Sequence, residues 1–141
     1  MIGDVLMENF NLKTGLAGES QVKVSEENTA LKYGSGTINV FATPAMIGLM
    51  EKASIEAVEK LLPEGFATVG TKIEVKHIAA TPIGMNITAK AELLEIDNKK
   101  LKFSIEAYDD ADKIGEGIHY RYIINLEDFM KKNEIKLKNL K

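Results

Sequence analysis

The chain contains no cysteine and no tryptophan, and only two of its 141 residues are histidines. Without cysteine the protein forms no disulfide, no thiolate metal site and no thiol nucleophile. The scarcity of histidine argues against a zinc centre, so no metal site is expected. No segment approaches the roughly 20 consecutive apolar residues of a transmembrane helix, and the acidic N-terminus lacks the apolar core of a signal peptide. We therefore expect a cytoplasmic protein.

The bulk composition is that of an ordinary globular protein. Hydrophobic residues make up 45% of the chain and charged residues 28%, with a formal net charge of −3. An acidic balance argues against a nucleic-acid-binding surface, and we expect no membrane partner either. The length predicts one domain over residues 1–141, with residues 1–17 and 127–141 as peripheral segments.

The stretch from Val40 to Pro63 has the apolar spacing of a helix. Thr43 is predicted as its N-cap, Pro44 as its first helical residue and Pro63 as its stop. Glu51, however, falls inside the apolar arc of this helix. Desolvation there would raise its pKa and suit proton transfer near neutral pH. The alternative is a glutamate whose stem packs while its head reaches solvent or a cross-chain ion pair.

After the helix the apolar pattern changes to a period of two, which indicates β-strands. The residues predicted to share a face are Val69, Thr71, Ile73, Val75 and His77; Met85, Ile87, Ala89, Ala91 and Leu93; Leu101, Phe103, Ile105 and Ala107; and Ile118, Tyr120, Tyr122 and Ile124. A short strand is predicted at Gln21–Val24, before the helix. Between them, the polar and glycine-rich segment Glu26–Gly36 is predicted to be a loop that folds over a site.

One long helix followed by strands without helical crossovers predicts an α+β fold. In this fold a single antiparallel sheet curls around the central helix. A curled sheet of this kind leaves a strand edge without a partner, so we expect a homodimer formed by edge-to-edge strand pairing.

Two residues could join Glu51 at one rim of the sheet and helix. His77 ends the apolar row of its strand, where it would form an acid/base pair with Glu51 or remain a neutral histidine of the core rim. Thr43 precedes Glu51 by eight residues, about 12 Å along a helix, so it would edge the same cleft at a different depth. Its alternative role is that of a simple helix cap.

Other candidate residues lie on the strands. Gly70 interrupts a good strand pattern, which marks a bulge or the close approach of another group. Arg121 shares a face with His119 on the last strand, where it either pairs with a charge across the sheet or holds an anionic group.

Three segments together resemble a known family: VFATPAMIGLMEKA, GTKIEVKHIAATPIG and IGEGIHYRYII. The set resembles the hot-dog-fold thioesterases, specifically the fluoroacetyl-CoA thioesterase family, over Thr37 to Leu126. The resemblance implies a hot-dog fold, a long helix wrapped by an antiparallel sheet, working as a dimer. It also implies a catalytic trio of Thr43, Glu51 and His77.

The resemblance extends to substrate contacts and to one departure. It implies that Gly70, His77 and Arg121 contact the substrate. The family's fluoroacetyl-specific enzyme has phenylalanines in the lid segment before V-F-A-T, whereas here Tyr33 is the only aromatic residue of that segment. Tyr33 is thus a candidate lid residue, and a broader short-acyl thioesterase is expected.

The implied activity is hydrolysis of acyl-CoA thioesters without a cofactor, since coenzyme A is part of the substrate. Glu51 would attack the carbonyl or activate water, His77 would manage the proton, and Thr43 would orient the carbonyl or Glu51. The alternatives are a non-catalytic dimer that binds acyl-CoA or another small ligand, a hot-dog hydratase, and a structural dimerisation module.

Overall fold

The computed structural model describes residues 10–140. Residues 1–9, to which the signal-peptide argument and much of the peripheral segment 1–17 refer, lie outside the described residues, as does residue 141. Within the described part, every helix is too short or too polar to cross a bilayer.

The described strands form one antiparallel sheet. They are β1 (Ala17–Lys23), β2 (Phe66–His77), β3 (Asn86–Asp97), β4 (Lys100–Tyr108) and β5 (Lys113–Asn125). Their spatial order is β1-β3-β4-β5-β2, so β1 and β2 are the two edges. The predicted α+β architecture is confirmed, and β1 begins earlier than the predicted strand at residues 21–24.

The helices are α1 (Ala30–Tyr33), α2 (Thr43–Val58) and α3 (Leu126–Lys138). The long helix α2 packs mainly against β1 and β3, and only marginally against β2. Its buried residues are Met46, Leu49, Met50, Ala53, Ser54, Ala57 and Val58. A 3₁₀ turn at Glu59–Leu61 follows α2, whereas α3 is exposed over most of its length.

Strand β1 lies so close to α2 that Gly18 has no room for a side chain. A Cβ at Gly18 would overlap the backbone oxygen of Ala53 and lie 2.5 Å from the nitrogen of Ala57. The hydroxyl of Ser20 donates to the carbonyl of Leu49 at 2.8 Å, which ties the same strand to the helix. The helix is thus held at the β1 edge, and the region between α2 and the β2 edge stays more open.

The central strands form the core as their alternation predicts. On β3 and β4 the buried residues are Ile87, Ala89, Ala91, Leu93, Leu101, Phe103, Ile105 and Ala107. Strict alternation suffices there because these two central strands bury one face against α2 and the other face carries charged and polar side chains.

Strand β2 departs from the prediction because it contains a bulge. The register with β5 shifts between Gly70 and Lys72, as the glycine had indicated. The extra residue reverses the alternation, so Thr68 and Gly70 lie on the face that carries Ile73 farther along the strand. The prediction that Val69 and Thr71 lie on the inner face is therefore wrong. The exposed hydroxyl of Thr71 donates to a β5 carbonyl.

Strand β5 turns its polar residues inward, contrary to the predicted apolar row. His119 and Arg121 are only 1% and 5% exposed, whereas Tyr122 is 44% exposed. The predicted inner row of Ile118, Tyr120, Tyr122 and Ile124 thus lies on the outer face. The apolar period could not predict that hydrogen bonds would allow His119 and Arg121 to be buried.

The segment over residues 26–36 is more regular than the predicted loop. It contains a 3₁₀ turn at Glu26–Asn28 and the short helix α1. Thr29 caps α1 by accepting from the backbone nitrogen of Lys32, and Gly34 ends it with a φ of 72°.

Candidate active site

Thr43 and His77 meet where the start of α2 faces the end of β2. Ala42 occupies the N-cap position of α2 and Thr43 is the first helical residue, so the predicted capping role of Thr43 is wrong. Its Oγ1 forms a 2.8 Å hydrogen bond with Nδ1 of His77 instead. The hydroxyl therefore bonds a residue 34 positions away in the sequence, and a local capping signal cannot reveal such a contact.

His77 has an unused hydrogen-bonding atom. Burial lowers the pKa of His77, opposed in part by the backbone of Ala79, so the ring is neutral at pH 7. When the Thr43 hydroxyl donates to Nδ1, the ring proton resides on Nε2. This buried Nε2 has no hydrogen-bond partner anywhere in residues 10–140. A buried polar atom without a partner is destabilising, and it is expected where a ligand supplies the missing bond.

A small cavity of about 330 Å³ adjoins this pair. Its lining residues besides Thr43 and His77 are Ala30, Ser35, Val40, Phe41, Ile78, Ala79 and Ala80. Most of these side chains are small and apolar, which suits a short acyl group. Ala30 and Ser35 come from the segment that was predicted to fold over a site.

Glu51 lies on the side of α2 that faces β2. Its side chain is 40% exposed, and Oε2 is 3.9 Å from Nη1 of Arg121. Ile47 and Ile55, one turn away in each direction, are also only partly buried. The carboxylate thus sits in a half-covered apolar row beside a buried cation.

Gly70 lies directly beside this ion pair. A Cβ at this position would be 2.8 Å from Oε2 of Glu51, 3.2 Å from Cε1 of His119 and 3.3 Å from Nη1 of Arg121. The absence of a side chain therefore keeps a space open at which three functional groups converge.

Arg121 is the only arginine in the sequence, and its guanidinium is held by β2 and β5. Nε donates to Oγ1 of Thr68 at 2.8 Å, and Nη2 donates to the Thr68 carbonyl at 3.0 Å. Nη1 donates to Nε2 of His119 at 3.1 Å. Burial lowers the pKa of Arg121, which the charges of Glu51 and Glu59 oppose.

Sequence reasoning missed Thr68 as a site residue and gave His119 no role. A signal was available, because Arg121 is the single arginine of a lysine-rich chain. Arginine is preferred over lysine where several directed hydrogen bonds must be made at once.

Tyr33, the candidate lid residue, lies elsewhere. It is 50% exposed and lines a second cavity of about 260 Å³ with Phe41, Gly48 and Lys52 among others. Phe41 lines both this cavity and the cavity beside Thr43 and His77. Tyr33 lines only the former and His77 only the latter. The lid role of Tyr33 stays a prediction.

One chain therefore presents two separate groups of site residues. We call Thr43 and His77 the hydroxyl–imidazole pair, and Glu51, Gly70 and Arg121 the carboxylate group. Eight residues of helix separate Thr43 from Glu51, about 12 Å of rise. Seven residues of strand separate Gly70 from His77, about 23 Å when extended.

The described contacts bring together the members of each group but not the two groups. No hydrogen bond or ion pair within residues 10–140 joins Glu51 to Thr43 or His77. The same range contains no group of three or more histidine, aspartate or glutamate side chains placed to hold a metal ion.

Comparison with known families decides the class. The model of the family described as FlK, fluoroacetyl-CoA-specific thioesterase, matches residues 24–127. The chain belongs to this family. Within the fluoroacetyl-CoA thioesterase family, the enzyme of Streptantibioticus cattleyicolor is 44% identical to this chain over 90 residues. These residues are 64% of this chain and 65% of that protein, so the match spans slightly less than two thirds of the curated relative.

Solved structures agree in fold. A variant of the fluoroacetyl-CoA-specific thioesterase FlK in complex with fluoroacetate and CoA is 35% identical, with a TM-score of 0.78, covering 84% of this chain and 99% of that one. A hot-dog-like protein from Thermanaerovibrio acidaminovorans is 22% identical, with a TM-score of 0.82, covering 91% of this chain and 95% of that one. The predicted family and the predicted hot-dog fold are both confirmed.

Proposed function

We propose that this protein is a homodimeric thioesterase that hydrolyses short acyl-CoA thioesters. The observation that carries the proposal is the hydrogen-bonded pair of Thr43 and His77, which both line a small cavity. Within residues 10–140 the buried Nε2 of His77 has no hydrogen-bond partner. Membership of the fluoroacetyl-CoA-specific thioesterase family supports the substrate class.

The dimer supplies what one chain lacks. Strand β2 is a sheet edge, so two copies can pair their β2 strands antiparallel about a two-fold axis. Gly70 and His77 lie on the inner face of β2, on either side of Ile73. A two-fold axis near Ile73 therefore brings His77 of one protomer beside the partner's Gly70. Residues directly opposite in an antiparallel pair share a face, with Cβ positions about 5 Å apart. The hydroxyl–imidazole pair of one protomer then faces the carboxylate group of its partner.

The chemistry follows from these groups. Glu51 either attacks the thioester carbonyl, forming an anhydride as the C–S bond breaks, or removes a proton from the attacking water. The neutral His77 keeps its Nε2 proton and donates a hydrogen bond to the departing thiolate, which takes its proton from the water consumed in the reaction. Thr43 keeps the ring oriented through Nδ1. In the first route water then hydrolyses the anhydride and restores the carboxylate. No cofactor is needed, because coenzyme A is part of the substrate.

The acyl group is proposed to be short but not restricted to a fluorinated one. A related FlK structure contains fluoroacetate and CoA. In this chain the cavity beside His77 is lined mainly by small side chains, and Tyr33 lines a different cavity. We also propose a cytoplasmic location, with no nucleic-acid or membrane partner.

The test is thiol release from a series of acyl-CoA esters, beginning with acetyl-CoA. We expect turnover of the short esters and a loss on the order of a thousandfold in kcat for Glu51→Gln and for His77→Ala. Wild-type rates in both variants would contradict the assignment. Tight binding of CoA esters without thiol release would instead support the non-catalytic binding dimer.

A further inference from the structure

His119 is a buried histidine to which the proposed reaction gives no role. It lies on the inner face of β5 and is 1% exposed. Its ring packs beside Phe103 of β4 with centroids 6.3 Å apart, and its Cε1 borders the space at Gly70. It therefore touches the carboxylate group without being one of the proposed catalytic residues.

The two partners of His119 fix its tautomer. Nδ1 lies 2.8 Å from the carbonyl oxygen of Lys72, and a carbonyl oxygen only accepts hydrogen bonds, so Nδ1 carries the hydrogen. Nε2 lies 3.1 Å from Nη1 of Arg121, and a guanidinium only donates, so Nε2 presents its lone pair. Both bonds are made at once only by the neutral ring protonated on Nδ1.

The surroundings favour this neutral form. Burial lowers the pKa of His119, and the Arg121 charge lowers it further, while the Lys72 carbonyl and Glu51 act in the opposite direction. A second proton on Nε2 would replace the acceptor with an N–H directed at a guanidinium. The contact that holds Nη1 would become a repulsion between two cations.

Thr68 accepts hydrogen bonds from the other side of the Arg121 guanidinium. Its hydroxyl donates to Oε2 of Glu59 at 2.6 Å, which turns an oxygen lone pair toward Nε of Arg121. The backbone nitrogen of Thr68 donates to the same carboxylate oxygen at 2.9 Å. Donors on both sides of the guanidinium are thereby engaged, and Nη1 is directed toward Glu51 at 3.9 Å.

We propose that neutral His119 is a positioning residue of this site, acting as the acceptor that aims Nη1 of Arg121 at Glu51. The inference rests on the proposed thioesterase function, because the reacting group it serves is Glu51. His119 acts through Arg121 and holds the cation that fixes where the carboxylate lies. The charged groups facing it are Arg121 of the same strand and Glu51 of α2.

The first test needs no activity. Because the chain has only two histidines, NMR of protein with ¹⁵N-labelled imidazole resolves both rings, and His77→Ala assigns them. At pH 7 we expect His119 to show a protonated Nδ1 and an unprotonated Nε2. A ring protonated on Nε2, or on both nitrogens, would overturn the proposal whether or not the protein is a thioesterase.

The second test separates positioning from packing. His119→Gln can keep an acceptor near Nη1 but cannot titrate, whereas His119→Phe keeps a ring and removes the acceptor. We expect His119→Phe to lose kcat on the order of a hundredfold with little change in KM, and His119→Gln to retain most of the wild-type kcat. The acid limb of the wild-type kcat profile should also move to lower pH in His119→Gln. Equal kcat in folded wild type and His119→Phe would refute a positioning role.

Discussion

The two groups of site residues differ in how many of their hydrogen-bonding atoms have a partner. In the carboxylate group Arg121 is buried and makes three hydrogen bonds, two to Thr68 and one to His119, with Glu51 at longer range. In the hydroxyl–imidazole pair a single hydrogen bond joins the two residues, and Nε2 of His77 stays without a partner among residues 10–140. The fold therefore fixes the geometry of the first group. In the second group it leaves Nε2 of His77 to be bonded by a ligand.

This difference separates the effects of mutation on stability from those on catalysis. Removing a group that is buried and bonded leaves several partners unsatisfied, so it affects folding as well as chemistry. Removing a group at an exposed cavity affects mainly what that cavity does.

The largest combined effect is expected for Arg121→Met. Thr68 and His119 would each lose a partner in a buried place, and the partly exposed Glu51 would lose its ion-pair partner. The free energy of unfolding should therefore fall by about 3 kcal/mol. Urea denaturation measures this loss, and thiol release from acetyl-CoA should fall in parallel. Arg121→Lys is the control that keeps the charge but not the three directed bonds, and it should recover only part of the stability. Unchanged stability in Arg121→Met would show that the network contributes nothing to folding.

Thr43→Val is expected to affect catalysis alone. The substitution keeps the shape of the side chain but removes the hydroxyl that orients His77. We expect kcat to fall on the order of a hundredfold. The free energy of unfolding should change by less than about 0.5 kcal/mol, because Thr43 is exposed. Thr43→Ser should restore activity, and a large loss of stability in Thr43→Val would erase the contrast between the two groups.

The smallest effect is the pH dependence of stability. Burial lowers the pKa of both His77 and His119 below 6.5, so the unfolded chain takes up protons at a higher pH than the folded one. The histidine contribution is fully present above pH 6.5 and is lost as the pH falls through that value toward the folded pKa. Denaturation of wild type, His77→Gln and His119→Gln between pH 7.5 and pH 5.5, about one unit on each side of the unperturbed value, measures it. The slope should flatten in both variants, and identical slopes in all three would contradict this.

Much of the fold follows from the sequence because it depends on local periodicity. The alternation on β3 and β4 predicts buried Leu93 and Phe103, and the helix around Glu51 is where its apolar spacing predicts. The order of the helix and strands along the chain suffices to predict one helix packed against an antiparallel sheet. These features depend on burial of one face, which a period of two or 3.6 residues reports directly.

The remainder required tertiary information. The bulge after Gly70 changes which residues of β2 face inward, and only the pairing with β5 reveals it. His119 and Arg121 point inward because Thr68 and a backbone carbonyl bond them, not because they are apolar. The hydroxyl of Thr43 likewise serves His77 rather than its own helix.

The site itself could be predicted as a set of residues, but not as an arrangement. The family resemblance named Thr43, Glu51 and His77, and the trio was expected to converge at one place. In one chain Thr43 contacts His77, while Glu51 contacts Arg121. In the proposed dimer a second copy completes the trio, and no pattern within one chain specifies the position of that copy.

The most direct test is complementation between two inactive variants. Glu51→Gln and His77→Ala chains are mixed, unfolded and refolded together, and thiol release is compared with each variant alone. If each site joins His77 of one protomer to the partner's Glu51, half of the dimers are mixed and each holds one intact site, giving about a quarter of the wild-type rate. If both residues act within one chain, every site in the mixed dimers carries a defect. The mixture would then be as inactive as its components, and the shared site would be wrong.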